Sequence, residues 1–265
     1  MWTYRTPLVR ESMPSNGAPA GTLDVSSRTR PRSKTHERKR SRSPGILSLE
    51  SGSPLRTFFT GGVEYDDRVD LQAIARFILD FDRFVRALEV PRAWGQGVEI
   101  KFRRLGRHRA DGLYYPEQEV LVLDLKSSMS FAHEFGHVID YRSAAPDGSG
   151  VEALPLSQRE GFRGVHALFV GRIESRNEGD PRLAKRKGRL TRGYFSSPAE
   201  CFARGFEQFV AEVLGEPSLL VAERKKYRED PLFLEDPPPF LFDYYHRALE
   251  GRTEDVDREA YDPWS

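Results

Sequence analysis

The sequence predicts an α+β fold in which a small sheet packs on a central helix and the C-terminal half is helical. Three observations predict it. The apolar residues Val120, Leu121, Val122, Leu123 and Leu125 read as a strand, and a helix-length segment starting at Phe131 follows shortly after it. Apolar residues recur at helical spacing between Asp66 and Val90 and again between Ser197 and Leu214. A chain of 265 residues, 38% of them hydrophobic, has enough apolar side chains for one sizeable core.

Residues 1–60 are expected to be a disordered basic tail, because the stretch from Ser12 to about Pro54 is rich in Ser, Pro, Gly and Arg and has no aromatic residue. Within it Arg28, Arg30, Arg32, Lys34, Arg38, Lys39, Arg40 and Arg42 form a basic cluster. That cluster reads either as a solvated tail or as a device for nucleic-acid phosphates or a docking protein. The formal charge of the whole chain is only +1, so net charge points to no partner. The N-terminus lacks the apolar run of a signal peptide and no stretch is long enough to span a bilayer. With a single cysteine, Cys201, no internal disulfide forms, and the cytoplasm is the expected compartment.

The folded domain is placed at residues 61–250. Its first element is an amphipathic helix from Asp66 to Val90, with Phe77, Phe81 and Phe84 on the apolar face and Pro91 as its limit. A short strand, Val98 to Phe102, and a polar loop, Arg103 to Asp111, come next. Tyr114-Tyr115-Pro116 reads as a turn, and Glu119 to Leu125 as the second strand. Ser127, Ser128 or Ser130 is placed to cap the following helix, which runs from Phe131 to near Ser143, before the Pro146 to Gly150 loop. Two more helices are expected, Ser157 to Glu174 and Ser197 to Leu214, joined through basic Lys185, Arg186, Lys187 and Arg189. Ser197 and Pro198 suit a helix start, and Phe202, Phe206, Phe209, Val210 and Val213 make the buried face. A short helix from Phe240 to Leu249 and a flexible acidic C-terminus, residues 251–265, close the chain.

The chemistry resides in the Phe131 helix, which contains His133-Glu134-Phe135-Gly136-His137, an HExxH pattern. Residues four apart share a helix face, so both imidazoles can reach one Zn2+ at about 2.0 Å. Glu134, next to the first ligand, is placed as general base toward a water polarised by the metal. The competing reading is an amphipathic helix whose two histidines are surface or core residues. A catalytic zinc needs a third protein ligand. Glu200, on the downstream helix, is the leading candidate; its alternative role is to complement the dipole at that helix's N-terminus. Asp140 is either a ligand or a group that accepts a hydrogen bond from a ligand imidazole or the backbone. Glu207 competes for the ligand position and otherwise pairs with Arg204 or faces solvent. Strand followed by active helix is the order expected of a zincin-like hydrolase.

The run from Ile100 to Tyr141, with the helix from Ser197 to Val210, resembles the first of the large polyvalent protein-associated domains, a family of phages and other mobile elements. The resemblance rests on Tyr114-Tyr115-Pro116, the Val120 to Leu125 strand, Phe131 to Asp140, and Glu200-Cys201-Phe202-Ala203-Arg204-Gly205-Phe206-Glu207. It implies a zincin metallopeptidase with His133, His137 and Glu200 on zinc, Glu134 catalytic, and a protein or peptide substrate. Two positions depart from the family pattern: Phe135 stands where Trp is common, and Gly205 where Ala is usual.

Other residues carry weaker expectations. Tyr194 is a candidate to hydrogen-bond a tetrahedral oxyanion, as is His166. His108, among several arginines, reads as part of a basic loop, and Cys201 as a buried core residue. The rival to hydrolysis is an accessory protein of a mobile element that binds nucleic acid through its tail and keeps a structural or inactive zinc site.

Overall fold

The computed structural model describes residues 53–106, 111–126, 130–144, 154–177 and 192–251, and its architecture is mixed α+β. One sheet contains β1 (Gly62–Tyr65), β2 (Glu99–Phe102), β3 (Gly112–Tyr115) and β4 (Val120–Leu123), in the order β1-β2-β4-β3. The first three neighbours, β1, β2 and β4, run parallel; β3 is an edge strand and pairs antiparallel with β4, from Gly112 opposite Leu123 to Tyr115 opposite Val120. The helices are α1 (Pro54–Phe58), α2 (Leu71–Ala87), α3 (Phe131–Arg142), α4 (Arg163–Asn177), α5 (Arg192–Phe195), α6 (Pro198–Leu214), α7 (Arg224–Glu229) and α8 (Pro239–Leu249). Among the described residues no helix is long and apolar enough to cross a membrane.

Several element boundaries differ from the sequence reading, each for a local reason. The helix expected from Asp66 starts at Leu71, because the Asp70 carboxylate accepts the Gln72 N–H as an N-cap and the Asp66 carboxylate closes a turn on the Arg68 N–H. Residues 54–58, which the sequence places in the tail, instead form α1, and Leu55, Phe58 and the following Phe59 are buried in the core. Tyr114 and Tyr115 belong to strand β3, not to a turn. The segment expected as a helix from Ser157 begins as two short 3-10 turns, and α4 proper starts at Arg163. The basic cluster from Arg28 to Arg42, His108, Ser127, Ser128, the Pro146 to Gly150 loop, Lys185 to Arg189 and the acidic C-terminus beyond Gly251 lie outside the described residues.

The core that positions α3 is aromatic. Phe77, Phe81 and Phe84 project from α2 at helical spacing and meet Phe131 edge-on, with centroids 5.4, 5.6 and 5.5 Å away. Phe135 stacks on Phe131 one turn later and also meets Phe58 and Phe59 of α1. One face of α3 is thereby fixed against α1 and α2, which leaves the opposite face for α6.

Close approach of α3 to α6 depends on Gly136, because a Cβ there would lie 3.0 Å from the Ala203 Cα. On the far side of α6 a second notch is made by Gly205, where a Cβ would collide with the Tyr245 hydroxyl of α8. That hydroxyl donates a hydrogen bond to the Phe202 carbonyl at 2.8 Å. The notch accounts for glycine at the position where the resembling family has alanine. Gly205→Ala is expected to lower stability by about 1–3 kcal/mol through overpacking, although alanine is the better helix former. Urea unfolding measures this, and an unchanged or raised midpoint would contradict it. The buried face of α6 is otherwise as the sequence predicts except at Val213, which is 37% exposed. Gly215, at φ 76°, ends the helix in the left-handed conformation.

Candidate metal centre

Every residue of α3 from Phe131 to Asp140 is buried, so its polar side chains must find partners inside the protein. His133 and His137 share the face toward α6, with ring centroids 5.0 Å apart and nearly perpendicular. Glu200, in the first turn of α6, comes to meet them. Its Oε2 lies 3.6 Å from Nε2 of His133, and its Oε1 lies 3.6 Å from Nε2 of His137. All three side chains are essentially inaccessible.

These separations are too long for hydrogen bonds, and neither ring nitrogen of His137 has a hydrogen-bond partner among the described residues. They do suit a shared cation. A tetrahedral zinc with bonds of about 2.0–2.1 Å holds its ligand atoms roughly 3.3 Å apart. Candidate ligand atoms of His133, His137 and Glu200 all lie within 4.8 Å of one another, and this is the metal-competent group among the described residues. Two imidazoles and one carboxylate form a donor set that zinc accepts.

The electrostatics favour a neutral His133 and an ionised Glu200, but act the other way on His137. Burial, helped by His137 and Arg204, pushes the His133 imidazole down to about 3, so the ring is neutral as a ligand must be. Burial alone would raise the Glu200 carboxyl, but the two histidines and Arg204 pull it well below its usual range, so it is a carboxylate. Burial disfavours charge on His137 as well, yet Glu200, Glu134 and Asp140 outweigh it and raise the imidazole. Two imidazoles and a carboxylate gathered in the interior form a donor set suited to a cation at their centre.

Glu134 faces β3. Its carboxyl is pushed up to about 7 by burial, with Glu200 acting in the same direction, while His137 and the Tyr114 backbone N–H pull it down. The edge strand comes close here because residue 112 is glycine: a Cβ would press on the Glu134 Cγ and on Ser130. Ser130 does not cap α3; its hydroxyl donates to the Asp111 carbonyl at 2.9 Å and ties the helix start to the strand.

The remaining predicted residues separate clearly. Asp140 is not part of the cluster; its Oδ1 accepts the Ser157 N–H at 2.7 Å, and burial raises its carboxyl to about 6. His166 is turned away, with Nε2 2.8 Å from the Ser196 carbonyl, which removes it as an oxyanion donor. Tyr194 is half-buried on α5 with its ring edge-on to Phe195. The Phe195 carbonyl accepts a 2.6 Å hydrogen bond from Arg204, whose guanidinium lies 3.6 Å from Glu200. Cys201 is buried, as expected, and burial pushes its thiol up to about 11.

Glu207 neither faces solvent nor binds in the cluster. It is buried, accepts the Tyr227 hydroxyl at 2.9 Å, and brings Oε2 to 3.3 Å from Nδ1 of His133. Burial pushes its carboxyl well above the ordinary range. The sequence carried a faint signal for this arrangement, since Glu207 lies two helical turns past Glu200 and thus on the same side of α6. Nothing in the local pattern pointed to Tyr227.

No protein-family model, curated protein or solved structure matches this chain. The resemblance to the large polyvalent protein-associated domain therefore rests on the motif residues themselves.

Proposed function

We propose that the chain is a zinc-dependent peptidase of the zincin kind, acting on a protein or peptide. The observation that carries this reading is the convergence of His133, His137 and Glu200 from two helices, with Glu134 one residue from the first histidine and turned to an edge strand. Zinc held there would supply a Lewis acid for the scissile carbonyl and a water acidic enough to be deprotonated near neutrality. Glu134 takes that proton at its carboxylate and later delivers it to the leaving amine. The Tyr114 N–H bears on Glu134 and keeps the carboxylate at the mouth of the strand.

Strand β3 pairs with β4 on one edge, and among the described residues no strand pairs with the other. An extended substrate added to that edge would pass Glu134 in a defined register, as backbone pairing requires. Tyr194 is the candidate for hydrogen-bonding the oxyanion. The cytoplasm is the compartment proposed, and a phage or other mobile element the proposed origin, from the family resemblance. Nucleic-acid binding by the basic tail remains a separate proposal with no support among the described residues.

The test is zinc per chain by elemental analysis, together with proteolysis of an unstructured protein such as casein. Wild type is expected to bind near-stoichiometric zinc, and His133→Ala and Glu200→Ala to lose it. Glu134→Gln is expected to keep the zinc and lose roughly 10²- to 10⁴-fold in hydrolysis, the usual contribution of a general base. A well-folded wild type that takes up no zinc would sink the proposal.

A further inference from the structure

The zinc reading leaves one buried carboxylate unused. We propose that Glu207, held in place by Tyr227, is a positioning residue that turns the His133 ring so that Nε2 faces the metal. This rests on the proposed zinc site.

Ala222 donates its backbone N–H to the Tyr227 hydroxyl at 2.9 Å, which occupies that oxygen as an acceptor. A phenol has one proton, so Tyr227 gives it to the 2.9 Å contact with Oε1 of Glu207. Oε1 is thereby fixed, and Oε2 is left with no hydrogen-bond partner in a site with no exposure. Oε2 faces Nδ1 of His133 at 3.3 Å, longer and less well aligned than an ordinary hydrogen bond.

A neutral imidazole carries one N–H. Placed on Nδ1, toward Glu207, it leaves the Nε2 lone pair directed at the space shared with Glu200 and His137. Carboxylates commonly act this way behind metal-bound histidines, fixing the tautomer and raising the basicity of the ligand. Burying a carboxylate is costly, and Tyr227 alone does not require one, since a glutamine or a backbone carbonyl would accept its proton equally well. Arg204 offsets part of that cost, and Nδ1 of His133 is the polar atom that Oε2 faces. His137 has no such support among the described residues: neither of its ring nitrogens is hydrogen-bonded. The two histidines are therefore unequal: a carboxylate stands behind His133, and neither ring nitrogen of His137 is hydrogen-bonded among the described residues. Helix α6 contributes twice, through Glu200 in front of the metal and Glu207 behind the ligand.

Zinc affinity of the full chain, measured by competition with a chromophoric chelator, tests the proposal without any activity assay. Glu207→Gln is expected to weaken zinc binding roughly 10- to 100-fold, and Tyr227→Phe by less, because the carboxylate remains but loses its anchor. In the zinc-free protein, nitrogen-15 NMR of the histidine rings is expected to show His133 protonated at Nδ1 in wild type and mixed tautomers in Glu207→Gln. A folded Glu207→Gln that binds zinc within twofold of wild type and keeps the Nδ1–H tautomer overturns the proposal while leaving the zinc site intact. If Glu207→Gln does not fold, Tyr227→Phe decides: wild-type affinity and an unchanged tautomer overturn it. A wild type that binds no zinc overturns both this inference and the reading beneath it.

Discussion

Zinc supplied at a thousand times its Kd is expected to raise the melting temperature of the metal-free protein by roughly 10 °C. A ligand at that excess stabilises the folded state by about 4 kcal/mol. In a domain of this size each kcal/mol moves the midpoint by about 2–4 °C. The expectation follows from the interior of the α3–α6 contact, where candidate ligand atoms of His133, His137 and Glu200 are buried within 4.8 Å of one another. A cation at their centre binds the folded state, and an unfolded chain has no gathered site to compete for it. The rise is expected to vanish on adding a chelator and to be nearly absent in Glu200→Ala, which keeps both histidines but not the carboxylate. A shift of the same size in Glu200→Ala would place the zinc elsewhere in the chain.

Phe131→Ala is expected to destabilise the zinc-free protein by about 3–5 kcal/mol, the usual cost of deleting a fully buried phenylalanine. Its ring meets Phe77, Phe81 and Phe84 of α2 and stacks on Phe135 of its own helix, so no single neighbour can move in to fill the space. The substitution lies two residues before His133, and loss of the anchor is expected to weaken zinc binding as well as folding. Chemical denaturation with and without zinc separates the two effects. A cost below about 1.5 kcal/mol would mean that the aromatic core relaxes freely and does not fix α3.

The parts of the fold legible in the sequence are those whose signal repeats within one segment. Helix α2 declared itself through Phe77, Phe81 and Phe84, β4 through its continuous apolar run, and α6 through Phe202, Phe206 and Phe209 over a Ser-Pro start. Strands β1 and β3 span only four residues each and take their definition from neighbours in the sheet, so Tyr114 and Tyr115 read as a turn. Leu55, Phe58 and Phe59 were hidden because the composition of the preceding tail dominated the window around them. In the candidate site, the pairing of His133 with His137 was legible from spacing, and Glu200 from chemistry: a zinc with two histidines needs a further ligand, and the downstream helix α6 offered a carboxylate. Glu207 and Tyr227 were not legible as a pair, since they sit on different helices and hydroxyl-to-carboxylate contacts leave no periodic trace. The notch at Gly205 was visible only as an odd residue until Tyr245 was seen to fill it.

The two helices that meet at the candidate centre stand far apart along the polypeptide. Both imidazoles belong to α3, and Glu200 follows only after β-sheet, connecting turns and α4 and α5 are complete. As the chain leaves the ribosome, the histidines emerge well before the carboxylate and its supporting Glu207, and Tyr227 and the Tyr245 lock come later still. A nascent or truncated chain ending before α6 therefore carries the recognisable motif but not the site. On the proposed reading, hydrolytic competence would require α6 as well as α3, so a chain still being made acquires it only after residue 200 has joined the fold.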